Sequence, residues 1–267
     1  MKTSSFLLLL TSIILTGCSH RSYLLSPFHA NNHPYRALPM VSDSLHKAVY
    51  ASASLSGGGA NQNLRDGILN FQASLHQAHT FHSFQFYYGA NVAAGNYHVS
   101  RNNHYDGSGS GPETLLTNRG NKFFGGAGAF AGADLVIPFR SGSEWRVFGV
   151  ETNYQREFGD YQHFRLKLPD SAATAITRDN YFHTVGFTTN VIKKFRKSGN
   201  SFGYKAGLYF STSRTRRFDS YNGRYVYPTY FSNTLHLTRQ QVTGYVQLNA
   251  GSYAFNFQTG VNIRLNK

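Results

Sequence analysis

From about residue 46 to the end, apolar and polar residues take turns along the chain. Leu69, Phe71, Ala73 and Leu75 alternate with Asn70, Gln72, Ser74 and His76. Near the C-terminus Tyr253, Phe255, Phe257, Thr259, Val261, Ile263 and Leu265 alternate with Ala254, Asn256, Gln258, Gly260, Asn262 and Arg264. Successive side chains of a strand point to opposite faces, so this period of two predicts strands with one apolar and one polar face. Strands are expected at 46–57, 68–79, 82–99, 123–138, 144–157, 181–195, 201–215, 225–238, 240–250 and 253–265. Strands of soluble domains run to about five or six residues, whereas a tilted strand that crosses a membrane needs about 9 to 11. Their length therefore predicts an all-β, antiparallel, up-and-down membrane barrel.

Connections of two kinds fit that fold. Short turns are expected at 78–82, 140–144 and 197–200, and longer polar stretches at 57–67, 100–121 and 159–180. Outer-membrane barrels alternate short periplasmic turns with longer outer loops in this way. Beyond residue 215, the run 220–224 reads as a hairpin turn around Asn222-Gly223, which gives ten strands. Pro228 argues against a strand starting at 225, and treating that region as loop leaves eight or nine, of which eight returns both ends to the same side. An alternative closes the same strands around an apolar core, as a soluble lipocalin-like barrel with a ligand site.

The N-terminal part has no such period. Lys2 precedes an apolar stretch from Phe6 to Leu15, the length of a secretory signal and too short for a membrane helix. Residues 18–45, rich in Pro, His and Asn, read as a short tether behind a signal peptide of residues 1–17 and ahead of the barrel domain, 46–267. Strand 123–138 is unusual in holding Gly125-Gly-Ala-Gly-Ala-Phe-Ala-Gly-Ala133, with small residues on both faces. Such a strand allows another backbone to approach closely, either a neighbouring subunit or the tether folding back.

Composition narrows the partners. Lys and Arg number 26 against 12 Asp and Glu, an excess that favours anionic partners. Nucleic acid is excluded for an exported chain, which leaves lipopolysaccharide phosphates, anionic headgroups or acidic solutes. The aromatic content lies almost wholly in 18 Tyr and 22 Phe, which suits strands and membrane-interface rings. The single cysteine excludes an intramolecular disulfide.

Leu15-Thr16-Gly17-Cys18 resembles the lipobox of bacterial lipoproteins, in which the cysteine is acylated and becomes the first residue of the mature chain. With the alternating segments, the chain resembles small outer-membrane β-barrel proteins of diderm bacteria in a lipoprotein variant. The resemblance implies attachment to membrane lipid through acylated Cys18, an outer-membrane location with the tether on the periplasmic side, and a structural or surface-interaction role, in contact with lipopolysaccharide or another envelope protein. It departs from many such barrels at its end, Ile263-Arg-Leu-Asn-Lys267, which lacks a terminal aromatic residue.

Three groups of residues carry candidate chemistry. His98 and Ser100 share a strand face, near enough for an imidazole to activate a hydroxyl, and Glu113 follows as an orienting carboxylate. The pair is similar to the His-x-Ser of lipid A deacylases, although Arg101-Asn102-Asn103 is not the expected continuation. His76, His79 and His82 are spaced across a turn and offer imidazoles to a metal such as Zn²⁺. Basic clusters flank predicted outer loops: Arg214, Arg216, Arg217 and Arg224 at one, Arg101, Arg119 and Lys122 at another. Guanidinium groups there suit phosphates. Lys193, Lys194, Arg196 and Lys197 surround a predicted periplasmic turn and suit anionic headgroups. No motif identifies a cofactor.

Overall fold

A computed structural model describes residues 23–30, 33–43, 45–61, 65–100, 119–195, 198–216 and 225–266. Ten antiparallel strands form one closed barrel: β1 (Lys47–Ala60), β2 (Asp66–Phe81), β3 (Phe84–Val99), β4 (Gly120–Pro138), β5 (Glu144–Phe158), β6 (Tyr181–Lys194), β7 (Ser201–Ser211), β8 (Thr229–Arg239), β9 (Val242–Gly251) and β10 (Ala254–Arg264). Each pairs with its neighbours in sequence, and β10 closes the ring on β1, from Ala254 opposite Ala60 to Arg264 opposite Tyr50. Closure leaves no unpaired edge.

Alternation sets the faces, and their polarity is inverted relative to a soluble domain. Phe71, Leu75, Phe148, Phe187, Leu235 and Phe257 point outward and are exposed. Gln72, His76, Asn153, Asn190, Gln247 and Gln258 point inward and are buried. The alternative of a soluble barrel requires the opposite arrangement. Aromatic residues ring both ends of the outer face, with Phe81, Phe84, Trp145 and Phe202 at one and Phe123, Tyr154, Phe158, Tyr181 and Phe210 at the other.

The expected rhythm of connections is present in part: the stretch 57–67, expected as a long loop, is mostly strand and leaves a connection of 61–65, and β9 joins β10 at the same end by the short turn 252–253. One end carries the short turns 82–83, 139–143, 195–200 and 240–241, together with the start of β1 and the end of β10. The tight turns His82-Ser83 and Gln240-Gln241 place their first residue at positive φ, 47° and 55°, as two-residue hairpin loops require. The other end carries the long connections 100–119, 159–180 and 212–228. Helix α2 (Asp160–Lys167) folds over this long-loop end. Two corrections concern the region after residue 211. The seventh strand ends at Ser211, and residues 215–216 instead pair with 225–226 in a small separate hairpin. The eighth strand begins at Thr229, directly after Pro228, whose missing N–H keeps it out of the ladder.

Strand β5 changes parity along its length. Arg146 and Gly149 are both buried although they are an odd number of residues apart, because the register against β6 shifts between them. The extra residue of a bulge turns the rest of the strand over. Glu151, Asn153, Gln155 and Glu157 consequently face the lumen.

Candidate functional site

The lumen is not empty. The tether expected at residues 18–45 is described at 23–30, 33–43 and 45, and its residues 23–30 and 33–43 lie within the barrel from one mouth to the other. Tyr23 sits at the long-loop end, its amide donating to Asn61 Oδ1 at 2.7 Å and its ring 4.6 Å from that of Tyr253. At the opposite mouth Ser42 Oγ donates to the Gly142 carbonyl at 3.2 Å, and Asp43 meets Lys194 Nζ at 2.8 Å.

Between these points lie a single helical turn at Pro27–Ala30 and, over residues 33–40, chain without helix or strand, and such chain inside a barrel needs partners for its backbone groups. Side chains of the wall supply several of them. Gln247 Nε2 donates to the His33 carbonyl at 2.6 Å, and Asn262 takes both roles, accepting from the Ala37 amide and donating to the Tyr35 carbonyl. His76 Nε2 bonds the Ala37 carbonyl at 2.9 Å, Gln85 Nε2 reaches the Pro39 carbonyl at 2.6 Å, and Glu144 Oε2 accepts from the Val41 amide at 2.8 Å. Pro34 and Pro39 help twice: each fixes an extended φ and each removes a donor that the lumen would otherwise have to satisfy. We call residues 33–43 the plug.

Two carboxylates of the lumen, Glu144 and Glu151, are paired with cations. Glu151 accepts from Tyr87, from Tyr209 at 2.7 Å and from Lys205 Nζ. Arg146 binds Glu144 at 2.8 Å through Nη2, both side chains buried, and the same nitrogen donates to the Leu38 and Pro39 carbonyls at 3.4 Å. Arg36 of the plug lies over the Phe130 ring, 3.5 Å from its centroid, a desolvated cation–π contact. Tyr35 stacks on His236 at 4.5 Å, and His33 on Tyr209 at 4.9 Å.

The long-loop end is sealed by an apolar cluster rather than a polar one. Leu24 and Phe28 from the N-terminal segment pack with Tyr97, Phe124, Tyr161, Phe164, Ile176 and Phe182. Residues 23–24 add a short parallel bridge to 175–176, and Tyr161 stacks on Tyr97 at 3.9 Å while its hydroxyl donates to the Leu25 carbonyl. Below α2 a fully buried pair joins Arg165 to Glu157 at 2.6 Å. His29, in the single-turn helix α1 (Pro27–Ala30), bonds the Ser213 carbonyl at 2.9 Å. Burial holds its imidazole down to about 4, helped by the Arg165 charge and opposed by the bond to Ser213.

At the short-turn end the plug does not fill the width of the lumen. A cavity of about 460 Å³ remains there, bounded by Tyr35, Tyr50, Lys194, His236, Gln241 and Arg264.

The residues singled out from sequence are scattered over this structure. His76 faces the lumen and stacks on Tyr50, His79 faces outward and stacks on Phe86, and His82 occupies its turn. The three do not converge, and among the described residues no cluster of His, Cys, Asp and Glu has the geometry of a metal site. His98 is exposed on the outer face, where its Nδ1 meets Asn121 Oδ1 at 2.8 Å; the Ser100 amide donates to Asp66. Arg119 is exposed at the long-loop end, Arg214 lies over the Tyr225 ring, and Lys122 lies over that of Phe164. Arg216 is described by its backbone alone, in the small hairpin. Cys18, Arg101, Glu113, Arg217 and Arg224 lie outside the described residues, as do Arg196 and Lys197. Of the two fillers expected against the small-residue strand, the tether folding back is the one present, with Phe28 against Gly126; the course of residues 33–43 through the lumen was not expected.

The sequence matches no protein-family model and no curated protein. Among solved structures, the translocator domain of the autotransporter NalP from Neisseria meningitidis is similar at a TM-score of 0.39 and 9% identity, covering 85% of this chain and 91% of that one. The COG4313 outer membrane channel from Pseudomonas putida F1 gives 0.39 at 8% identity over 86% and 98% of the two chains. The KdgM porin gives 0.32 at 13% identity over 81% and 99%.

Proposed function

We propose that this chain is an outer-membrane barrel that closes its own lumen, is anchored by lipid on Cys18, and serves a structural or surface-interaction role rather than free passage of solutes. The reading rests chiefly on one observation, the plug: its carbonyls and amides are bonded by wall side chains from β2, β3, β5, β9 and β10. A ten-strand lumen is narrow to begin with, and here its middle is occupied by chain.

The outer-membrane location is supported by the apolar outer face, which would otherwise be an exposed hydrophobic surface far larger than soluble proteins tolerate, and by the rings of aromatic residues at its two ends. By the same rule the long-loop end faces outward and the short-turn end faces the periplasm. Exposed Arg119 and Arg214 at the long-loop end then stand at the level of lipopolysaccharide phosphates. The lipobox around Cys18 supports acylation.

The test is conductance in planar bilayers of the full-length protein beside a variant lacking residues 23–43. The intact protein is expected to be silent and the deletion variant to give steady open steps, provided it keeps the heat-dependent gel mobility of a folded barrel. Steady conductance from the intact protein would overturn the closed-lumen reading.

A further inference from the structure

We propose that the chain threads its own barrel outward, so that the residues before Tyr23 emerge at the cell surface and any acyl chains on Cys18 lie in the outer leaflet. The inference rests on the orientation given above, with the long loops outside.

Its basis is the direction of the N-terminal segment, which is fixed at both mouths by described residues. Asp43 and Ser42 are held at the short-turn rim by Lys194 and the Gly142 carbonyl. Tyr23 and Leu24 are held at the opposite rim by Asn61 and by the bridge to Ala175 and Ile176, and the Thr177 amide donates to the Leu24 carbonyl. Between the rims the segment runs in one sense, bonded to wall residues in sequence order: His33 to Gln247, Ala37 to His76, Pro39 to Gln85, Val41 to Glu144. The chain therefore enters the lumen from the long-loop side when read from its N-terminus, opposite to a periplasmic tether.

Covalent reach decides where Cys18 can be. Five residues at full extension span at most about 17 Å, whereas the apolar band of an outer-membrane barrel is about 25 Å tall. From Tyr23 the cysteine reaches the adjacent leaflet but not the far one, and the way back through the lumen is filled by the plug and capped by Leu24, Phe28 and Tyr161. The usual inner-leaflet destination of a lipobox protein is thus excluded by length. The arrangement also makes the plug a stay under two holds, with the barrel gripping it along its length and the surface anchor holding its end.

The experiment is epitope accessibility on intact and permeabilised cells, with one short tag per protein. The tags are inserted between His20 and Arg21, between Gly107 and Ser108 in the long loop, and between Ser141 and Gly142 in the short turn. Each tagged protein is first checked for heat-dependent gel mobility, and each is labelled with radioactive palmitate. The expected result is full antibody binding to the first two tags before permeabilisation, with no gain afterwards, and binding to the third only afterwards. An N-terminal tag that behaves like the turn tag, while the loop tag is outside, overturns the threading and leaves the orientation standing. A loop tag reached only after permeabilisation overturns the orientation itself and the threading with it. Surface binding of the N-terminal tag without palmitate label supports the threading and removes the lipid anchor from the proposed function.

Discussion

Phe28 occupies the space that a side chain at residue 126 would need. A Cβ built on Gly126 falls 2.5 Å from Phe28 Cζ, and the same ring sits edge-on to Phe124 at 5.6 Å. The glycine of β4 and the phenylalanine of the N-terminal segment are two halves of one packing decision. Gly126→Val is expected to displace Phe28 and destabilise the seal by about 1–3 kcal/mol, the usual cost of overpacking. Phe28→Ala should cost about 3–5 kcal/mol by leaving a cavity. In the double variant the valine has room, so the two losses should fall short of their sum. Hydrogen exchange of residues 24–29 in micelles measures all three; strict additivity would show that the two residues do not share that space.

Glu151 of β5 gathers three donors from two strands, Tyr87 of β3 and Lys205 and Tyr209 of β7. Removing one partner of a buried ion pair leaves the other charged and alone, at a cost of about 3–5 kcal/mol. Glu151→Gln should therefore lower the temperature at which the folded gel form is lost. Lys205→Met in the same chain should restore most of that loss, since a neutral pair has no orphaned charge. A double variant as unstable as Glu151→Gln alone would mean that the tyrosine hydroxyls, not the lysine, are what Glu151 holds.

How much of this was legible in the sequence depends on whether the information is local. Alternation is local, so Leu69 to His76 and Tyr253 to Leu265 disclosed their strands, the ten-strand barrel and the outward direction of the phenylalanines. The boundary at Pro228 was half legible: the missing N–H argued against a strand from 225, and the strand begins at Thr229. The parity change between Arg146 and Gly149 has no sequence mark, because a bulge is a matter of register with β6. The histidine triplet illustrates the converse, since the odd spacing of His76 and His79 already sends them to opposite faces of one strand. The small residues of Gly125 to Ala133 disclosed that the tether could fold back, and Phe28 does lie against Gly126, but the path of the plug through the lumen was unreadable for a physical reason. His33 to Val41 has no period of its own, and its partners, Gln247, Asn262, His76, Gln85 and Glu144, are recruited one or two at a time from strands far apart in sequence.

Acidification should loosen the long-loop seal through His29. In the folded protein its imidazole is held down to about 4 against an ordinary 6.5, so the released segment binds a proton at a pH where the packed one does not. Above pH 6.5 both forms are neutral and nothing is gained or lost. As the pH falls from 6.5 to 4 the seal weakens, by about 2 kcal/mol at pH 5, and the loss levels off below 4. Exchange of the amides of residues 23–29, corrected for intrinsic rates, should rise at pH 5 relative to pH 7. In His29→Gln that rise should vanish, and its persistence there would assign the effect to another group.

The plug's grip should be divisible residue by residue. Gln85 and Gln247 each donate to one plug carbonyl at 2.6 Å, Pro39 and His33 respectively. Leucine at either position would leave that carbonyl without the donor, at a cost of about 1–3 kcal/mol. A single loss is small against the remaining bonds and the Arg146 contacts to the Leu38 and Pro39 carbonyls, so Gln85→Leu or Gln247→Leu should leave the lumen closed for most of the time, with brief openings in planar-bilayer recordings. Gln85→Leu combined with Arg146→Met removes the donors at Pro39 altogether and leaves Glu144 unpaired. Openings in that double variant should lengthen towards the steady steps of the 23–43 deletion. Silence in the double variant, with the barrel still folded on gels, would place the grip at the apolar mouth around Phe28 and Tyr161 instead of along the lumen.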